Sequence, residues 1–188
     1  VLETLGALVN VAPPSEEVIK AYESHISPYK KTLVLAIGGP TKAYFYTPEI
    51  IQNLIHHLDR VLSKAPMNLL ITFSRRTDSA TKSSILQWAS KIPDAFVWND
   101  FGPNPYSFFL ERGDFFVVTQ DSISMICDIS FTGRPVYVAK LQGKHRRFEK
   151  FFQEMAKSGR MRWFQGELEL WKYKPLREVY RIASAIKN

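Results

Sequence analysis

Three clusters of residues in this 188-residue chain have the types and spacing to hold an anionic group. The first is Gly38-Gly39-Pro40-Thr41-Lys42, where adjacent glycines let the backbone approach a ligand closely or take positive φ, and Lys42 adds a cation. The second is Ser74-Arg75-Arg76-Thr77-Asp78. Its two guanidinium forks suit phosphate or carboxylate, and equally a solvated surface pair. The third is Thr119-Gln120-Asp121-Ser122-Ile123-Ser124-Met125-Ile126-Cys127-Asp128. In a helix Asp121, Ser124 and Asp128 share one face, and Asp121 or Ser122 is placed to cap the first turn. Bare amides at a helix head followed by an acid suit a phosphate and a sugar ring. The alternative is a capped helix with its polar side to water.

Each cluster closes a predicted strand. Apolar runs at 32–37, 68–73, 95–98, 114–119 and 135–139 read as buried strands. Helical patterns alternate with them. Thr47-Pro48-Glu49 is a strong helix start, with a capping residue, proline at the first helical position and an acid in the first turn. Ile50, Ile51, Leu54, Ile55, Leu58, Val61 and Leu62 follow at helical spacing. Further helices are expected after Asp78, from Asn104 to Arg112, from Ser122 to Gly133, from His145 to Ser158, and from Pro175 to Lys187. In the last, Leu176, Val179, Ile182, Ala183 and Ile186 are expected to face inward. Residues 1–30 read as a lead-in strap or linker, with a capped helix after Pro13-Pro14-Ser15. Residues 31–188 read as one Rossmann-like domain. Strand–helix alternation predicts an α/β fold, a Rossmann-like doubly wound and mostly parallel sheet. Ligands of such sheets bind at the strand carboxyl ends, where all three clusters fall.

Several chemistries lack their residues. Gly-x-x-x-x-Gly-Lys-Ser/Thr is absent, as are Gly-x-Gly-x-x-Gly after the first strand and a Tyr-x-x-x-Lys pair in catalytic context. No Asp-x-Asp or His/Cys cluster points to a metal, and adjacent His56 and His57 cannot form the i, i+4 metal pair. Neither a catalytic base nor a cofactor is identified. The net charge of +7 points to an anionic partner. Lys140 to Arg162 holds eight lysines and arginines against two glutamates, so most of the excess lies there. The helix in this stretch reads either as an anionic membrane contact or as a solvated face over a Phe-rich core. No nucleic-acid motif accompanies the charge, so no nucleic acid is expected as a partner. The single Cys127 fits a reducing compartment and a buried, inert thiol. No apolar run approaches the roughly 20 residues of a membrane span. The expected location is cytoplasmic, with peripheral membrane contact as the accompanying alternative. The chain begins with Val and reads as a fragment or a processed product.

Taken together, the three clusters resemble the mitochondrial-fission "elongated mitochondria" family. So do Asn104-Pro105-Tyr106, Thr132-Gly133-Arg134-Pro135-Val136-Tyr137, Arg146-Arg147-Phe148 and Arg160-Met161-Arg162-Trp163-Phe164. Bacterial members of that family are often labelled glycosyltransferases or nucleoside-diphosphate-sugar epimerases. The resemblance runs from about Gly6 to the end. It implies a GT-B-like architecture of two Rossmann-like domains facing across a cleft, this chain being the C-terminal, donor-binding half and the N-terminal domain missing or separate. It implies a nucleotide-sugar as donor substrate and metal-independent glycosyl transfer once paired with that domain. Gly38, Gly39, Thr41, Lys42, Ser74, Arg75 and Arg76 are the implied phosphate-side residues, and Asp121, Ser122, Ser124 and Met125 the helix-head residues. Asp128 is the implied ribose-gripping acid, where the family usually carries the longer Glu. The alternative function is a non-catalytic interaction module at a membrane surface, as the family name implies.

Overall fold

A computed structural model describes residues 4–187, with side chains described to Ala185. Helix α1 (Glu16–Tyr22) is capped by Ser15 and followed by one 3-10 turn, Glu23–His25. Then come β1 (Lys31–Ile37), β2 (Tyr44–Phe45), α2 (Pro48–Leu62), β3 (Met67–Phe73), α3 (Ser79–Ala89) and β4 (Ala95–Val97). The chain continues through α4 (Tyr106–Arg112), β5 (Phe115–Thr119), α5 (Ile123–Phe131), β6 (Val136–Ala139), β7 (Gln142–Gly143) and α6 (Arg146–Lys157). It ends with β8 (Arg162–Trp163) and α7 (Glu178–Lys187).

Among the described residues six strands form one sheet in the order β4-β3-β1-β5-β6-β8, with every pairing parallel. The chain winds outward from β1 through β3 to β4, then returns to β5 on the other side of β1. That return makes the β1/β5 boundary the point where the winding reverses, which is where such sheets bind ligands. Both faces are covered. Leu33, Leu35, Ile37, Leu69, Ile71 and Val117 pack with α2 and α3, whereas Val34, Ala36, Leu70, Phe116 and Val118 pack with α1, α4, α5 and α6. Burial on two faces explains the near-continuous apolar runs of the strands.

The expected strands and helices are present, with differences at short or polar elements. β8 was not foreseen as a strand, nor was the antiparallel ribbon of β2 with β7. Each is two residues long, too short to carry a period. The final helix starts at Glu178 rather than Pro175. Leu176 is buried ahead of it, held by its N–H donating to Ser130 O at 3.1 Å, and Ala183 is exposed rather than inward. The inward placement of Ile186 lies outside the described side chains, as residues 1–3 of the strap lie outside the described residues. The strap from Thr4 onward packs on the sheet's α1 side. Ala7 N–H donates to Cys127 Sγ at 3.3 Å, and Val18 and Tyr22 join the core. No described helix is long and apolar enough to cross a membrane.

Candidate functional site

The sheet places the carboxyl ends of β3, β1 and β5 side by side. Their three turns are stitched together by one buried carboxylate. Asp121 has no exposed side-chain surface. Its Oδ2 accepts the Gly39 N–H at 2.9 Å and the Arg76 guanidinium at 3.0 Å, and its Oδ1 accepts the Tyr46 hydroxyl at 2.5 Å. Arg76 also donates to Gly39 O at 2.8 Å. The Gly38 N–H donates to Thr119 Oγ1 at 2.7 Å, and the Thr77 hydroxyl donates to Gly38 O at 2.5 Å. A fully buried carboxylate persists only when paired and hydrogen-bonded, and here it has both. Burial, followed by the charge of Asp121, pushes the Tyr46 phenol far above its ordinary range, so it stays a donor.

This network explains the adjacent glycines. A Cβ on Gly38 would lie 2.1 Å from Asp121 Oδ2, and one on Gly39 would lie 2.1 Å from the Arg76 carbonyl oxygen. The glycines therefore admit neighbouring protein, and the N–H groups of both are already engaged. Two further hydroxyls are spent locally. Thr41 Oγ1 accepts the Ala43 and Tyr44 amides at 3.1 and 3.0 Å, and Ser74 Oγ accepts the Arg76 amide at 3.2 Å.

What stays free is a smaller set. Asp121 or Ser122 was expected to cap α5, but Asp121 is turned into the network, and Ser122 occupies the cap position without a side-chain hydrogen bond. The first-turn amides of Ile123, Ser124 and Met125 have no partner among the described residues. Ser124 is exposed and Met125 half-buried. Lys42 and Arg75 are exposed, and among the described residues neither side chain has a hydrogen bond or an ion pair. Asp128 follows Ser124 by one turn of α5 and is half-buried; its Oδ2 accepts the Tyr106 hydroxyl at 3.2 Å. Burial raises the Asp128 carboxyl from its ordinary range, and the Tyr106 bond offsets part of that. Burial, then the nearby Asp128 charge, raises the Tyr106 phenol.

Of the twelve residues singled out in the sequence, the structure gathers all at one end of the sheet and divides them by task. Gly38, Gly39, Thr41, Ser74, Arg76 and Asp121 hold the turns. Lys42, Arg75, Ser122, Ser124, Met125 and Asp128 make up the remainder, of which Lys42, Arg75 and Ser124 are open to solvent. Tyr46, Thr77 and Tyr106 were missed as members of the network. Tyr46 sits directly before the Thr47-Pro48 helix start, and no periodicity distinguishes such a residue. Among the described residues no group of three or more His, Cys, Asp or Glu could hold a metal ion.

Fold and site together define a Rossmann-like, doubly wound α/β domain with an open helix head at its switch point. The description of the family "Mitochondrial fission ELM1" matches residues 1–188, and the chain belongs to that family. It is 31% identical over 193 residues to the mitochondrial fission protein ELM1 of Arabidopsis thaliana, covering 100% of this chain and 45% of that protein. It is 28% identical over 189 residues to the Rickettsia prowazekii protein RP120, covering 97% of this chain and 53% of the relative. The chain thus spans about half the length of the curated relatives it matches. Among solved structures it resembles UDP-GlcNAc 2-epimerase from Neisseria meningitidis bound to UDP-GlcNAc. The TM-score is 0.54 at 14% identity, covering 92% of this chain and 40% of that one, a likeness of fold.

Proposed function

We propose that this chain is the donor-binding half of a glycosyltransferase-like GT-B protein and takes a nucleotide-diphospho-sugar. The observation that carries this reading is the uncapped first turn of α5 at the β1/β5 switch point, with Asp128 one turn further along. In that arrangement the diphosphate meets the Ile123, Ser124 and Met125 amides, and the ribose hydroxyls meet Asp128. Arg75 and Lys42 supply mobile cations. Glycosyl transfer expels a nucleoside diphosphate, so negative charge grows on the leaving oxygens. Donors fixed at that position stabilise the transition state more than the ground state, without need of a metal. The acceptor and its general base belong to the facing half that the resemblance implies.

The epimerase complex makes UDP-GlcNAc the first ligand to try. Titration calorimetry should find saturable binding of UDP and UDP-GlcNAc, weakened roughly tenfold by Arg75→Ala, the size of one charge-assisted hydrogen bond. No heat with any nucleotide at millimolar concentration would sink the proposal.

A second reading, an anionic membrane contact, draws on α6. Lys144, Arg146, Arg147, Lys150 and Lys157 are exposed and make no ion pair among the described residues. The apolar stripe of the helix, however, is consumed by the core through Phe151, Phe152 and Met155. The helix has no free face to insert, so any such contact is electrostatic. It predicts salt-sensitive cosedimentation with phosphatidylserine vesicles and none with phosphatidylcholine.

A further inference from the structure

A cleft of about 220 Å³ opens beside the switch point, between α2 and the carboxyl ends of β6 and β8. Asn53 and His57 line it from α2, Lys140 from the end of β6, and Trp163, Phe164 and Gln165 from the end of β8. It lies outside the twelve residues already discussed. Its size falls below the roughly 300–1,000 Å³ of pockets for drug-sized ligands, which fits one six-membered ring and not a nucleotide.

The lining chemistry is specific. Phe164 is buried, and the Trp163 ring is backed by Phe152 at 5.4 Å between centroids, which makes a firm apolar wall. The Lys140 ammonium lies 4.9 Å from the Trp163 ring centroid and has no carboxylate partner among the described residues. Among the described residues no carboxylate lines the cleft. Glu167, two residues past Gln165, is drawn instead to Arg60 and Lys64, at 3.7 and 3.5 Å. Burial, then Arg60 and His56, lowers the His57 pKa, which favours the neutral imidazole, a group with one donor and one acceptor. Asn53 and Gln165 offer paired amide donors and acceptors. An apolar wall, two amides and an imidazole match ring carbons and hydroxyls, and one unneutralised lysine matches one negative charge.

The cleft lies at the same carboxyl end of the sheet as the candidate donor site. Gln120 N–H donates to Ala139 O at 3.0 Å, and Gln120 Oε1 accepts the Leu141 N–H at 3.0 Å, so the ends of β5 and β6 are tied beside the cleft. β8 lies two strands from β5, about 10 Å at ~4.8 Å per strand, within reach of a sugar linked to a diphosphate on α5.

We propose that this cleft is the subsite for the sugar ring of the donor, and that Lys140 selects a sugar carrying a carboxylate. This rests on the nucleotide-sugar reading above and adds the class of sugar. The probes are UDP, UDP-glucose, UDP-glucuronate and free glucuronate. In calorimetry UDP-glucuronate should bind roughly tenfold tighter than UDP or UDP-glucose. Lys140→Ala should remove that gain while leaving UDP affinity unchanged. Free glucuronate should perturb tryptophan fluorescence in the wild-type chain and in Gln165→Ala at higher concentration, but not in Trp163→Phe. If UDP binds while UDP-glucuronate gains nothing over it, the subsite is overturned and the donor site stands. An equal gain for UDP-glucose overturns the selection by Lys140. If no nucleotide binds but glucuronate quenches in a Lys140-dependent way, the donor reading fails and the acidic-sugar cleft stands on its own. Silence to both probes overturns both.

Discussion

Asp121 Oδ2 accepts the Gly39 N–H at 2.9 Å, joining the ends of β5 and β1 where the winding of the sheet reverses. This bond decides which groups at the switch point are free. It consumes the carboxylate that would otherwise cap α5, and the glycine amide that would otherwise face a ligand. Arg76 is drawn in as the counter-ion, and Arg75 beside it is left open.

Replacing Asp121 with Ala leaves the Gly39 N–H and the Tyr46 hydroxyl without their acceptor, while half-exposed Arg76 recovers water. One buried and one partly buried donor left unpaired cost about 2–4 kcal/mol. For a chain of this length that lowers Tm by roughly 4–16 °C, which calorimetry would register. A change under 1 °C would mean that the carboxylate does not hold the turns.

Gly39→Ala forces a methyl group against the Arg76 backbone carbonyl, at 2.1 Å before relaxation. Backbone cannot swing aside as a side chain can, so the β1 and β3 turns must separate. The expected loss is about 2–4 kcal/mol, the upper range of overpacking. Comparing Gly39→Ala with Pro40→Ala in denaturant melts tests this, since Pro40 is exposed and should tolerate the change.

The two neighbouring arginines should separate in their effects. Arg75→Ala is expected to leave Tm within about 1 °C while weakening nucleotide binding, because its exposed side chain makes no hydrogen bond or ion pair among the described residues. Arg76→Ala should lower Tm by several degrees, since it strips the counter-ion from a buried carboxylate. Equal stability losses in the two variants would contradict this division of labour.

Asp128 has a pH signature. Burial raises its folded pKa above the ordinary 3.8, so the folded state holds its proton longer than the unfolded chain. Ionisation therefore costs stability as pH rises from about 4 through the folded value, and nothing below it. Asp128→Asn lacks that cost. Its Tm relative to the parent should climb over that window and then level off, while nucleotide affinity falls at pH 7. Loss of stability at pH 7 would show that the carboxylate is structural.

Cys127 should be inert in the native state. Burial pushes its thiol up to about 11, and the side chain is fully covered. Iodoacetamide at pH 8 should modify it at the rate of unfolding, accelerating with urea. Rapid stoichiometric labelling of the folded chain would overturn the assignment.

Much of this protein was legible in one dimension. The strands at 32–37, 68–73 and 114–119 announced themselves by apolar runs, because a parallel sheet covered on both faces leaves no polar alternation. The α2 start was written in Thr47-Pro48-Glu49, because capping is local chemistry: Thr47 Oγ1 accepts the Ile50 amide at 3.4 Å. Three strand ends rich in glycine, arginine and acid marked the end of the sheet where the candidate site lies. The sequence could not show that Asp121 turns toward Gly39, 82 residues away, instead of toward its own helix. Both partners lie within reach of a carboxylate, and the choice between them depends on Tyr46 and Arg76 arriving from two other segments. It could not show the cleft under Lys140 and Trp163 either, since that space exists only where α2, β6 and a two-residue strand meet. Local signals determined the elements and their order. Tertiary packing decided which polar groups were spent on holding the fold and which were left open, because that division depends on contacts between segments far apart in the chain.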